Sequence, residues 1–151
     1  MDDNTFKCNR MSVKEIRIIT DSLRNKFCEK NVIPVDTEKI IEKHYHIDII
    51  PQSGIKSATK TDAFLRSDLS GIIVDLKEYM AEEEWSTNRI RFSFAHELGH
   101  YVLHRRIYSF AEYRTLEEYC QFIENFPDQE YTAFEWQANE FAEVCSSLYP
   151  G

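Results

Sequence analysis

The stretch Phe92–His104, FSFAHELGHYVLH, constrains this chain more than any other. Phe92, Phe94, Ala95, Leu98, Val102 and Leu103 make it apolar nearly all round, the pattern of a buried helix. His96 and His100 stand four residues apart, so a helix places both on one face, one turn above each other. Glu97 lies one helical step round. Burying two imidazoles and a carboxylate without partners is costly, and one metal ion is the simplest partner they could share. H-E-x-x-H turns up by chance in on the order of one chain in a few hundred of average composition. Such accidents fall on exposed polar helices, whereas this one is expected in the core. Imidazole suits zinc, and a hydrolytic zinc site takes three protein ligands and leaves one position for water. The metal lowers the pKa of that water, and a neighbouring carboxylate takes its proton as it attacks a carbonyl carbon.

Two histidines need a third ligand. His104 shares their face but lies eight residues from His96, about 12 Å along the axis at ~1.5 Å per residue. It cannot join the same tetrahedron and is expected to support the site, cap the helix end or touch substrate. No histidine follows it, so the third ligand must be a carboxylate or a thiolate. The last helix is expected from about Tyr131 to Leu148, with a core stripe of Phe134, Ala138, Phe141, Cys145 and Leu148. Glu135 flanks that stripe on the side of Asn139 and Ala142. Glu140 lies on the far flank and Glu143 nearly opposite the core. Thr132-x-x-Glu135 is also a capping box, and helix geometry alone does not choose between the two roles for Glu135.

The rest of the chain reads as α+β: helices, a small three-stranded sheet, then helices again. After an arm of about eleven residues, Ser12 and Glu15 form a capping box for a helix with Ile16, Ile19, Leu23 and Phe27 on its apolar stripe. Pro34 breaks the chain, and a shorter helix follows from Asp36 through Ile40, Ile41 and Tyr45. His44 and His46 near its end read as surface histidines favoured by the helix dipole. Strands are expected at Ile47–Ile50, ending at Pro51, at Ala63–Arg66 and at Gly71–Leu76, with a polar loop or ragged hairpin over 52–62 and a turn over 67–71. Ser86, Thr87 and Asn88 offer N-caps for the central helix, and Arg105 and Arg106 fall in its last turn. Residues 107–114 are ambiguous. Leu116–Phe126 reads as helix, closed by Pro127-Asp128.

With 151 residues the chain is one domain, large enough to bury roughly two-thirds of its unfolded surface. Its formal net charge of -8 argues against direct nucleic-acid binding and gives no hint of an anionic membrane surface. The start, MDDNTFKCNR, has no apolar core of a secretory leader, and no apolar run approaches the ~20 residues of a membrane span. Cys8, Cys28, Cys120 and Cys145 are widely spaced and read as reduced thiols of a cytoplasmic protein.

HELGHYVLH preceded by NRIRF, then EWQANEFA and a terminal LYP, closely resembles the ImmA/IrrE metallopeptidase family, whose pattern is RxRFTxAHELGHxxLH followed by ExxANxFAxxLLMP. The resemblance is continuous over 88–104 and returns over 135–150. It departs mildly at Ser93, where the family often has Thr, and at the CSSLYPG ending. It implies a zincin-like metallopeptidase fold, with a small sheet packed on the HExxH helix. It implies His96, His100 and Glu135 as metal ligands, Glu97 as catalytic base, and Asn139 as a supporting residue. The metal it implies is Zn2+, with Mn2+ an alternative in the cell. The partner it implies is a protein substrate, a helix-turn-helix repressor encoded on the same mobile element or operon. Substrate is expected to add a strand along Gly71, Ile72, Ile73 and Val74, which precede the active helix. An oxyanion donor is needed beside the metal, and Tyr131, Tyr149 and His104 are the candidates. Two other readings remain open: a zinc-stabilised module that sequesters a repressor without cutting it, and a proteolytic effector aimed at host proteins.

Overall fold

The computed structural model describes residues 6–27 and 36–146. Pro34, Cys28, Leu148, Tyr149 and the terminal Pro150-Gly151 lie outside them. The order is α1 (Val13–Phe27), α2 (Thr37–Lys39) running into a wide π-helical turn (Ile40–His44), β1 (Asp48–Gln52), α3 (Ile55–Thr59), β2 (Ala63–Leu65), β3 (Gly71–Asp75), α4 (Leu76–Tyr79), α5 (Glu84–Leu103), α6 (Arg105–Tyr108), α7 (Leu116–Glu124) and α8 (Asp128–Cys145). The class is α+β with a three-stranded sheet ordered β1-β3-β2.

Local chemistry explains most boundaries. Ser12 Oγ accepts from the Glu15 amide at 3.1 Å and starts α1. Ile16 and Leu23 are buried as expected, joined by Thr20, which hides its hydroxyl by donating to the Ile16 carbonyl at 2.8 Å. Asp36 caps α2 through the Lys39 amide. His44 and His46 are exposed. β1 runs past Pro51 instead of ending there. It is an edge strand, and since the Asp48 amide points at the Ser70 carbonyl of the β3 side, alternation turns the Pro51 nitrogen outward, where no ladder bond is lost.

Three expectations need correction. The polar stretch 52–62 is not all loop, because it contains α3. Its one large apolar residue, Ile55, is fully buried, and Asp75 accepts from the Lys56 amide with one oxygen and from the Glu78 amide with the other, starting both α3 and α4. The arm is anchored over 6–11. Phe6 stacks on Phe122 with ring centroids 5.4 Å apart, and Glu130 accepts from the Cys8 amide and pairs with Arg10 at 2.7 Å. α5 starts at Glu84, ahead of the expected caps, and stops at Leu103, so Arg105 and Arg106 open α6 rather than close α5.

The core is apolar, with Phe94, Leu98, Phe141, Ile72 and Leu65 fully buried or nearly so. The dominant packing is α5 on α8. Gly99 faces Phe141 across this contact, and an added Cβ would lie 3.1 Å from the Cβ, Cγ and Cδ1 of Phe141. Phe141 is fully buried, so its Cβ can move only with its backbone. Among the described residues no helix is long and apolar enough to cross a membrane.

Gly99→Ala sets two effects against each other. The helix propensity of alanine stabilises by ~0.8–1 kcal/mol, while overpacking a tight core costs ~1–3 kcal/mol. We expect net destabilisation in urea unfolding. A more stable variant would show that the two helices have slack at this point.

Candidate metal centre

α5 presents His96, Glu97 and His100, and α8 brings Glu135 and Asn139 against them. His96 Nε2 and His100 Nε2 are 3.1 Å apart. Glu135 Oε2 lies 3.2 Å from His96 Nε2, and Glu135 Oε1 lies 3.1 Å from His100 Nε2. Thr132 does not cap α8. The helix already begins at Asp128, and the Thr132 hydroxyl donates to the Asp128 carbonyl at 2.9 Å. The capping-box role for Glu135 is therefore excluded, and its carboxylate faces the two imidazoles.

The surrounding hydrogen bonds orient these groups. Asn139 Oδ1 lies 2.7 Å from His96 Nδ1, so that nitrogen donates and the Nε2 lone pair turns inward. His100 stacks on Phe134 with centroids 3.9 Å apart. Glu97 is buried, with Oε1 accepting from the Leu65 amide of β2 at 2.8 Å and Oε2 lying 3.8 Å from His96 Nε2. One oxygen is thus tied to the sheet and the other faces the cluster.

Three lone-pair donors meeting within 3.2 Å repel one another unless a cation sits among them. A tetrahedral zinc site with bonds of ~2.0–2.1 Å sets its ligand atoms ~3.3–3.4 Å apart, close to the separations here, so the donor set suits such an ion. The same field acts on protons. Burial pushes the His96 pKa down, but the Glu135 hydrogen bond and the charges of Glu97 and Glu135 prevail and hold it at about 9. Burial pushes Glu135 up, yet its close contacts with the His100 and His96 imidazoles hold it well below the usual carboxylate range. Burial raises Glu97 to about 7 and lowers His100 to about 4. The cluster attracts positive charge at the His96–Glu135 side and keeps His100 neutral.

Other expected site residues fall differently. His104 is buried, with its ring nitrogens 2.9 Å from His100 Nδ1 and 2.8 Å from Gln137 Oε1. With both nitrogens engaged inside the protein, it can neither touch substrate nor donate to an oxyanion. Tyr131 lines the cleft, and burial raises its pKa to about 12, so it stays a donor. Gly71, Ile72, Ile73 and Val74 cannot receive a substrate strand, because β3 is the central strand, paired with β1 on one side and β2 on the other. A third ligand from sulfur finds no support among the described cysteines. Cys8 contacts Gln137, Cys120 faces the Ala58 carbonyl and Cys145 faces Thr37.

The structure adds residues the sequence reading missed. Thr61, Asp62 and Ala63 line the cleft with Phe92 and Tyr119. The Tyr113 hydroxyl donates to the Leu65 carbonyl, fixing the strand that holds Glu97. Only Gln137 left a signal in the sequence. It falls three residues after Phe134 and four before Phe141, a polar residue on the core stripe.

Residues 73–145 match the family model of the peptidase M78 group, described as the IrrE N-terminal-like domain. The match spans β3 to the end of α8 and takes in the whole His96–Glu97–His100–Glu135 cluster. That match supports an ImmA/IrrE-type metallopeptidase family for this chain, and such a family implies a metal cofactor and a protein substrate. Comparisons with the curated proteins and with the solved structures return no significant match.

Replacing one of the three converging donors should differ from replacing Glu97. His96→Ala, His100→Ala and Glu135→Ala should each lose equimolar zinc on exhaustive dialysis, read by elemental analysis, whereas Glu97→Gln should keep it. Full retention by Glu135→Ala would remove that residue from the ligand set.

Proposed function

We propose that this chain is a zinc-dependent endopeptidase with a zincin-like active site, held by His96, His100 and Glu135 and served by Glu97. The observation that supports it most is the convergence of three donors beside a buried carboxylate with one oxygen tied and the other directed at the cluster. Bound there, zinc would supply Lewis acidity, lowering the pKa of water and polarising a carbonyl; manganese could serve the same donors in the cell. Glu97 accepts the water's proton at Oε2 and hands it to the leaving amine. Burial raises its pKa in the metal-free cluster, and a cation bound among the donors would favour the ionised form that accepts the proton. The Leu65 amide, bonded to Oε1, keeps the carboxylate from swinging away from the site. Of the oxyanion donors expected from the sequence, Tyr131 is the one among the described residues that lines the cleft and stays protonated.

The substrate edge moves from β3 to β2. Asp75 donates to the Asp62 carbonyl and Arg66 to the Gly71 carbonyl. Antiparallel alternation therefore turns the backbone groups of Ala63 and Leu65 away from β3. Leu65 spends its pair on Glu97 and Tyr113, and the Thr59 hydroxyl engages both backbone groups of Thr61, which leaves the Ala63 amide as the point where an extended peptide would pair.

The substrate we infer is a helix-turn-helix repressor encoded on the same operon or mobile element. This rests on the family and on charge, because an acidic chain of formal net charge -8 attracts a basic DNA-binding partner. The test is to incubate the helix-turn-helix regulator encoded nearest this gene with zinc-loaded wild type or with Glu97→Gln, and to read intact masses. We expect two fragments with wild type and none with Glu97→Gln. An intact regulator held in a stable complex by both proteins would instead favour a sequestering module.

A further inference from the structure

His100 is tied to a chain of buried polar groups that the proposed chemistry does not use. Its Nδ1 lies 2.9 Å from His104 Nδ1, His104 Nε2 lies 2.8 Å from Gln137 Oε1, and Gln137 Nε2 donates to the Asn9 carbonyl at 2.6 Å. His100, His104 and Gln137 are 2 %, 4 % and 1 % exposed, so solvent offers them no other partners.

Donor and acceptor rules give this chain one direction. The Asn9 carbonyl can only accept, so the Gln137 amide nitrogen faces it and Oε1 turns to His104. An amide oxygen can only accept, so His104 carries its proton on Nε2. A doubly protonated His104 would be a buried charge touching only an imidazole, an amide and aromatic rings, with no carboxylate in contact, and burial disfavours that. Its Nδ1 is therefore a bare acceptor, and the proton between the two rings belongs to His100 Nδ1. That leaves His100 Nε2 with a lone pair facing Glu135 and His96, and the chain thereby opposes the Glu135 carboxylate, which by itself would draw a proton to Nε2. Asn139 imposes the same tautomer on His96 directly. For His100 the command comes from further away, through two side chains, and ends on the segment preceding α1.

We propose that His104 and Gln137, with the Asn9 carbonyl as terminal acceptor, are positioning residues that lock His100 in the Nδ1–H tautomer and keep its Nε2 lone pair turned to Glu135 and His96. Its value for metal binding rests on the function proposed above; the lock itself does not. The experiment begins with metal-free wild type, using long-range proton–nitrogen-15 correlation spectra of the imidazoles. We expect proton-bearing nitrogens at His100 Nδ1 and His104 Nε2. A proton on His104 Nδ1 overturns the proposal. Gln137→Met, close in shape but without the acceptor, should leave His104 with mixed tautomers and weaken zinc binding roughly 10–100-fold in chelator competition. A folded Gln137→Met protein, by circular dichroism, with wild-type tautomers and affinity would also overturn it. If that variant does not fold, the wild-type spectra still decide. Tautomers as expected in a wild-type protein that binds no zinc would uphold the lock and overturn the metal reading of the cluster.

Discussion

The structure depends on how closely α8 approaches α5. Gly99 lies between the two histidines, and its missing side chain is the space that Phe141 occupies. That contact brings the neighbouring turns of α8 within reach of the cluster. Phe134 then stacks on His100, Glu135 meets both imidazoles, and Asn139 reaches His96. A helix pair held ~1–2 Å wider by larger side chains would keep every residue of the motif and lose the hydrogen-bond distances among them. Packing, not the motif alone, makes the three donors converge.

Convergence is electrostatically expensive, and the surroundings are arranged to sustain it. The three inward lone pairs need a cation, and the field that would hold one also holds a proton on His96 well above the ordinary histidine range. Metal and proton therefore compete for the same place. The sheet takes part as well. β2 uses its outward backbone groups at Leu65 to fix Glu97 and to meet Tyr113, so the strand that borders the cleft also orients that carboxylate. Behind the site a continuous set of rings, Phe6, Phe122, Phe126 and Phe134, joins the N-terminal segment to the wall that His100 stacks on.

Much of this was legible in the sequence because short-range periodicity carries it. The four-residue spacing of His96 and His100, the apolar surroundings of HELGH and the stripe of α8 are all within-helix patterns, and each element is where they put it. Thr132 misled because a capping box is a local pattern, while the true start of α8 was set by Pro127-Asp128, a full turn earlier. The choice of β3 as the substrate edge failed for a different reason. Strand order depends on pairings across the chain, and nothing in Gly71–Asp75 itself reveals that both sides are taken. Ile55 in its polar run and Phe6 in the arm are single apolar residues whose burial depends on distant partners, so no periodic signal marked them. The link from His104 through Gln137 to Asn9 spans 128 residues between its last two members and has no local trace beyond one polar side chain on a core stripe.

The measurement that bears most directly on the account is X-ray absorption at the zinc edge of the zinc-loaded protein. The account predicts a first shell of nitrogen and oxygen only, at ~2.0–2.1 Å, with the multiple-scattering signature of two imidazoles. A sulfur shell at ~2.3 Å, or a shell with fewer than two imidazoles, would contradict it and place the metal elsewhere in the molecule.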